Sequence, residues 1–256
     1  MINDLILDVG NSRVKAALFS GSRLIDHAVW NDTSDPGPLV EFIAGRTIDH
    51  IGIAESGRLE GEWMAAFREI GVPAPTFLTG ASPSPVKNAY GTPSTLGVDR
   101  LANAVAGAQL FPGRPTLAID LGTCITYDLV DAGGVYQGGL ISPGFRMRAR
   151  AMHEFTARLP EVMPMERTAL IGSDTLTSLA SGTYHGLRAE LKALIGEFRQ
   201  QHEGLAVVLT GGDAVRFARG LENGIFAHPF LTLFGLHALS LFVRPAAGAP
   251  SSRTGR

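Results

Sequence analysis

Two stretches of this chain repeat one pattern, and the repeat restricts the fold more than any other feature. Leu5 to Phe19 reads L-I-L-D-V-G-N-S-R-V-K-A-A-L-F, and Leu117 to Val130 reads L-A-I-D-L-G-T-C-I-T-Y-D-L-V. Each is an apolar run, an Asp (Asp8, Asp120), a Gly turn (Gly10, Gly122) with hydroxyls, and an apolar return run. A Gly-centred turn between apolar runs signals a β-hairpin. A repeat that opens each half of the chain predicts two related units with a cleft between them.

The turns carry chemistry as well as shape. Successive backbone N–H groups in such a turn form a concavity that holds an anion, and Gly10 can take a positive φ at little cost. Asp8 stands at the strand end, placed to hold a hydrated Mg²⁺ beside that anion. Lys15 brings a point charge of the kind phosphates attract, in a chain whose only other lysines are Lys87 and Lys192. Short Gly-rich turns are weak motifs, so an ordinary buried hairpin stands beside this reading.

Between and after the hairpins, strands alternate with helices, which argues an α/β protein. Strands are expected at Leu24–Trp30, Ile48–Ala54, Thr76–Leu78, Gly139–Gly144 and Leu205–Leu209. Helices are expected at Leu39–Ala44, Gly61–Ile70 (with Trp63, Ala66, Phe67 and Ile70 on one face), from Leu101, from Phe145 (with Met147, Ala151, Met152 and Phe155 apolar), from Thr175, at Val215–Arg219 and within Pro229–Val243. Gly182 and Gly186 in the long helix suggest a closely packed neighbour. Thr79–Leu96 and Met165–Ile171 read as loops. The domains are expected at 1–112 and 113–244, with 245–256 a disordered tail.

Several residues have two readings. Tyr90 either anchors its loop or touches a ligand. Asp99 either caps the helix that follows it or is a general base aimed at a substrate hydroxyl. Arg100 either meets an anionic substrate group or makes a surface ion pair. Asp120 either caps its turn or binds a cation. Thr123 can add a hydroxyl to a phosphate, and Thr175 either caps its helix or touches substrate. Asp128 and Asp131 read as turn residues, and Cys124 as buried packing. The double glycine Gly211-Gly212, between a strand and a helix start, suits close backbone approach to a nucleotide.

Composition removes some classes. The net charge of −2 gives no footprint for nucleic acid, and Arg146, Arg148 and Arg150 read as a solvated or interface face. One cysteine excludes a disulfide framework and a cysteine metal cluster. The run Pro229–Val243 is shorter than the roughly 20 residues a membrane span needs. No charged-then-apolar leader is read at the start, so a cytoplasmic protein is expected. No Walker A pattern occurs, which disfavours a P-loop kinase.

The paired hairpins resemble those of the actin-like ATPase and sugar kinase superfamily. More specifically, the chain resembles the type III pantothenate kinases, the family that includes the Bvg accessory factors, from Leu5 to about Val243. The ordered motifs are Asp8-Val9-Gly10-Asn11-Ser12-Arg13-Val14-Lys15, Leu96-Gly97-Val98-Asp99-Arg100, Asp120-Leu121-Gly122-Thr123, Pro143-Gly144 with Thr156 to Pro160, Thr175 with Ser181-Gly182, and Thr210 to Ala214. Ser12 replaces the commoner Thr and keeps the hydroxyl. The resemblance implies two actin-like (ribonuclease H-like) domains around a nucleotide cleft. It implies ATP-dependent phosphorylation of pantothenate to 4′-phosphopantothenate, the first step of coenzyme A biosynthesis. Asp8 to Lys15 and Thr123 would bind ATP, with Mg²⁺ near Asp8, through water. Asp120 would bind a monovalent cation, K⁺ or NH₄⁺. Tyr90, Gly97, Val98, Asp99, Arg100 and Thr175 would hold pantothenate, with Asp99 the proton acceptor. The family works as a homodimer. Another small-molecule kinase of the superfamily, or an accessory protein that binds nucleotide without turnover, remains the alternative.

Overall fold

In the computed structural model of the chain, the first hairpin forms as its pattern requires. The structure describes residues 2–10, 13–55, 61–69, 71–163, 168–219, 221 and 224–244, and counts below are of these. Asn11, Ser12, Ile70, residues 165–167 of the expected loop and the expected tail 245–256 lie outside the described residues. Strands β1 (Asn3–Val9) and β2 (Val14–Ser20) pair antiparallel, with Asp8 opposite Lys15. The turn closes through the Gly10 N–H donating to the Arg13 carbonyl at 2.9 Å. Gly10 is not in the left-handed region. What limits that position is space, because a Cβ there would stand 3.3 Å from the Arg13 carbonyl oxygen.

Strands β3 (Arg23–Trp30), β4 (His50–Glu55) and β5 (Thr76–Leu78) complete a sheet of order β3-β2-β1-β4-β5, with helices α1 (Gly37–Ile43) and α2 (Gly61–Glu69) in its connections. The second sheet is built from β6 (Lys87–Asn88), β7 (Thr116–Leu121), β8 (Cys124–Val130), β9 (Val135–Pro143), β10 (Ala206–Thr210) and β11 (Ile225–Ala227), in the order β11-β10-β7-β8-β9-β6. Apart from β6, it repeats the first sheet strand for strand. In each, three antiparallel strands come first, and two further strands add parallel to the first of them. That order is ribonuclease H-like. Parallel strands covered on both faces read as unbroken apolar runs, and all five residues of β10 are buried.

Two helices fill the space between the sheets. α3 (Val98–Leu110) follows the long loop and α7 (Leu231–Val243) is the last element among the described residues. Leu233, Leu236 and Leu239 of α7 share one apolar core with Ile6, Ala17, Phe19, Ala54 and Leu78 of the first sheet. Val98, Leu101, Ala102 and Val105 of α3 join it to Val130 and Tyr136 of the second. The helices cross at Gly235, where a Cβ would fall 1.9 Å from the Ala102 carbonyl oxygen. A polar clasp ties α7 to β1. His237 Nε2 lies 2.9 Å from Asp4 Oδ2, and Arg244 donates to Asp4 Oδ1 at 2.8 Å. The remaining helices, α4 (Phe145–Glu154), α5 (Thr175–Gln201) and α6 (Ala214–Ala218), belong to the connections of the second sheet.

Five expectations are corrected. The stretch Thr79–Leu96 is not free of regular structure. Lys87 and Asn88 pair parallel with β9, because the Lys87 and Ala89 N–H groups find the Gly134 and Tyr136 carbonyls at 3.0 Å, and Pro93–Thr95 is a short 3-10 turn. Asp128 is no turn residue, since it stands inside β8 and is fully buried. Asp131 does shape a turn, accepting from the N–H groups of Gly133 and Val135. Cys124 is exposed, because it opens β8 opposite Pro143 at the sheet's end. α4 buries Phe145 and Ala149, not Met147 and Phe155, because Phe145 packs edge-on against Phe217 at 5.2 Å. Gly182 and Gly186 have no neighbour within 4 Å of where a Cβ would stand.

Candidate active site

Asp8 is the next-to-last residue of β1, Lys15 the second of β2, Asp120 the next-to-last of β7, and Asp99 the second of α3. Lys15 Nζ donates to Asp8 Oδ2 at 3.1 Å. Burial alone would push the Lys15 ammonium down, but Asp8, Asp120 and Asp99 outweigh it and hold its pKa above the usual lysine value. Burial, with the like charge of Asp8, raises the Asp99 carboxyl against the pull of the Arg100 N–H and guanidinium. Burial also pushes Asp120 up to about 6, with Asp99 and Asp8 adding to it and Lys15 and Asn103 opposing. Lys15, Asp99 and Asp120, from both sheets and α3, thus each feel the charge of the groups around them. The fold brings the two hairpins and the start of α3 to one place.

The supports are specific. Gly97, not Asp99, stands at the cap position of α3, and it makes no side-chain cap bond. Asp99 Oδ1 accepts from the Arg100 N–H at 2.9 Å. Asn103, one helical turn on, donates to Asp120 Oδ2 at 3.3 Å and accepts from the Thr232 hydroxyl of α7 at 2.9 Å. Arg100 makes no surface pair. Its guanidinium is buried on Asp128 at 2.8 Å, where the Tyr136 hydroxyl also donates at 2.8 Å. Tyr90 lies over that guanidinium, 5.6 Å from ring centre to carbon, and beside the Tyr136 ring.

The double-glycine turn closes against the same place. Gly211 has φ +91°, and a Cβ on it would stand 2.4 Å from Asp120 Oδ1. The Arg13 guanidinium approaches to within 3.9 Å of the Cβ position of Gly212, so the first hairpin reaches the turn after β10. Thr123 is exposed, and its carbonyl accepts from the Gly144 N–H at 3.1 Å. Val9 and Val14 point into the core of the first sheet, so contact with a ligand there would come from their backbones. Thr175 stands apart. It opens α5, capped by Asp174 through a capping box with Thr177, and lines a hollow of about 520 Å³ with Met152, Leu159, Gly172, Ser173 and Ser178.

Sequence reasoning missed Asn103, Asp128 and Tyr136. Asn103 stands four residues after Asp99, on the same helix face. Asp128 interrupts the apolar run I-T-Y-D-L-V, and a charge inside such a strand needs a buried partner.

A bare carboxylate pushed up by burial costs stability at neutral pH. The folded Asp120 binds its proton more tightly than the unfolded chain does. Stability is therefore lost as pH rises from about 4 through about 6. Asp120→Asn is expected to stabilise the ligand-free protein at pH 7.5 by on the order of 1–3 kcal/mol and to flatten that part of the profile. Thermal melts from pH 4.5 to 7.5 check it, and a variant no more stable than the parent at pH 7.5 would contradict it.

Two ribonuclease H-like sheets that close on such a group define an actin-like nucleotide-binding protein. The type III pantothenate kinase family model matches residues 4–197, and the chain belongs to that family. A type III pantothenate kinase of Flavobacterium psychrophilum is 38% identical over 237 residues, 92% of this chain and 97% of the relative. Its counterpart in Porphyromonas gingivalis is 36% identical over 239 residues, 92% and 97%. A solved Baf family protein of Campylobacter jejuni shares the fold with a TM-score of 0.59 at 18% identity, covering 92% of this chain and 96% of that one. The ethanolamine utilization protein EutJ of Carboxydothermus hydrogenoformans does so at 0.54 and 13%, covering 93% and 90%.

Proposed function

We propose that the group formed by Asp8, Lys15, Asp99 and Asp120 is where a phosphoryl group passes from ATP to the primary hydroxyl of pantothenate. The product, 4′-phosphopantothenate, begins coenzyme A biosynthesis. The observation that carries this reading is the convergence of the two hairpins and the start of α3: Lys15 donates to Asp8 at 3.1 Å, and Asn103, one turn after Asp99, donates to Asp120 at 3.3 Å. Phosphoryl transfer asks a protein mainly for positioning and charge stabilisation. Asp99 orients the hydroxyl and takes its proton, and a carboxylate raised by burial is a stronger base than one in water. Lys15 and the backbone of Asp8 to Lys15, with Thr123, hold the phosphates.

The family implies ATP with a divalent metal. Among the described residues no three His, Cys, Asp or Glu side chains form a metal site, which fits an ion carried by phosphates and water beside Asp8. We assign that ion as Mg²⁺, which keeps several waters and neutralises phosphate charge when bound. Asp120 has Asn103 on one oxygen at 3.3 Å, and its desolvated carboxylate suits a monovalent cation, K⁺ or NH₄⁺. Tyr90, Gly97 to Arg100 and Thr175 hold pantothenate. Because Thr175 lies on another hollow, a homodimer in which a second copy supplies it is the arrangement we favour. Exposed Leu170, Ile171 and Leu176 beside it support an interface there. We place the enzyme in the cytoplasm, with no nucleic acid partner. The division at residue 112 remains our reading of the domain boundary.

The test is ADP release by the purified protein with Mg²⁺-ATP, with and without pantothenate, in K⁺ and then in Na⁺. Turnover is expected only with pantothenate, and Na⁺ is expected to weaken ATP affinity. Kinetics identical in both salts would remove the cation from Asp120. ATP binding without turnover on pantothenate would overturn the reading.

A further inference from the structure

We propose that Asp128 is a positioning residue for phosphoryl transfer, fixing the Asp99 carboxylate through Arg100. The inference rests on the reading of Asp99 given above. A buried carboxylate is expensive, and a buried ion pair replaced as a whole by apolar residues of similar volume is often as stable or more so. Yet Asp128 stands fully buried in β8 between Tyr127 and Leu129. Its Oδ1 accepts from Arg100 Nε at 2.8 Å and from the Tyr136 hydroxyl at 2.8 Å. Arg100 is the residue after Asp99, and its N–H holds Asp99 Oδ1 at 2.9 Å. A short rigid path therefore runs from the second sheet to the oxygen of the base.

The geometry gives this path a job at the start of α3. The cap residue Gly97 has no side chain to fix the helix start. Instead, α3 is registered on the second sheet by two polar rungs. On the β7–β8 ladder, Asp120 pairs with Thr126 and Asp128 faces Ala118, two residues along. In a strand such positions share a face. On α3, Arg100 and Asn103 are three apart and also share a face. Arg100 meets Asp128 and Asn103 meets Asp120. The rung at Asp128 also gathers the substrate side, since Tyr90 lies over Arg100 and next to Tyr136. Loss of that rung leaves the hairpins that hold ATP in place and frees the start of α3.

The experiment compares Asp128→Leu and Asp128→Asn with the parent protein. A misplacement of about 1 Å can cost a factor of 10². Asp128→Leu is expected to lower kcat roughly 10²-fold while the KM for ATP changes by less than about threefold. Asp128→Asn keeps an oxygen for the Arg100 and Tyr136 donors, and it is expected to fold and to recover most of that loss, to within about tenfold of the parent. A merely structural role would lower thermal stability and soluble yield and leave the kcat of the folded fraction alone. Asp128→Asn with parental kcat, together with Asp128→Leu either parental in kcat or weakened equally for ATP, would overturn the proposal. If Asp128→Leu does not fold, Asp128→Asn and Tyr136→Phe decide: a several-fold fall in kcat in either, at constant KM for ATP, supports it, and parental values in both reject it. A parent protein that fails to phosphorylate pantothenate at all would instead reject the kinase reading beneath it.

Discussion

Asp99→Asn is expected to lower kcat by roughly 10²- to 10⁴-fold, the span a lost general base usually costs, in a protein that stays folded. Asn keeps the oxygen that accepts from the Arg100 N–H and removes a carboxylate whose burial works against its charge. The variant should therefore melt no lower than the parent at neutral pH. The pH profile supplies a second check. Burial raises the Asp99 pKa above the usual carboxylate value. In the parent, turnover should fall on the acid side as Asp99 takes up its proton, at a pH above that of an ordinary Asp. In Asp99→Asn that limb should vanish. Steady-state kinetics beside a thermal melt give both results, and near-parental turnover in a folded variant would remove Asp99 from the chemistry.

Gly235→Ala should be strongly destabilising. By helix propensity alone, Gly to Ala in a helix gains about 1 kcal/mol. At Gly235 the added Cβ would stand 1.9 Å from the carbonyl oxygen of Ala102 and 2.4 Å from its carbon. These are backbone atoms, so no rotamer change can relieve the clash. α3 and α7 must move apart, and the core shared by both sheets opens with them. Overpacking of this kind costs about 1–3 kcal/mol or more, out of a total stability of about 5–15 kcal/mol. Gly196→Ala is the matched control. It lies in α5 with nothing within 4 Å of the new carbon, so the propensity gain should appear there undiminished. Chemical denaturation of the two variants should give shifts of opposite sign.

Both hairpins could be read from sequence because their information is local: an apolar run, a turn and an apolar return. The residues Asp8, Lys15, Asp99 and Asp120 could be named, but only the fold shows that they converge. What escaped reading depended on distant partners. Asp128 looked like a turn residue because Arg100, which buries it, lies 28 residues earlier. α4 has apolar residues on more than one side, and Phe217, far along the chain, selects Phe145 as the buried one. The loop before α3 acquires a strand only because the edge of β9 offers it carbonyls. Cys124 reads as buried from its place inside the second hairpin, yet it sits where the sheet ends.

The path of α7 has a consequence for how the protein is made. The strands of the first sheet leave the ribosome well before α7, yet one face of that sheet is covered by α7. Its buried Asp4 finds its partners at His237 and Arg244. Domains generally fold as units during synthesis, N-terminal ones first. Here the first sheet must wait for Leu231–Val243, with that apolar face open in the meantime. A stop codon a few residues before Leu231 would thus cost the first sheet, although that sheet's own strands were translated intact.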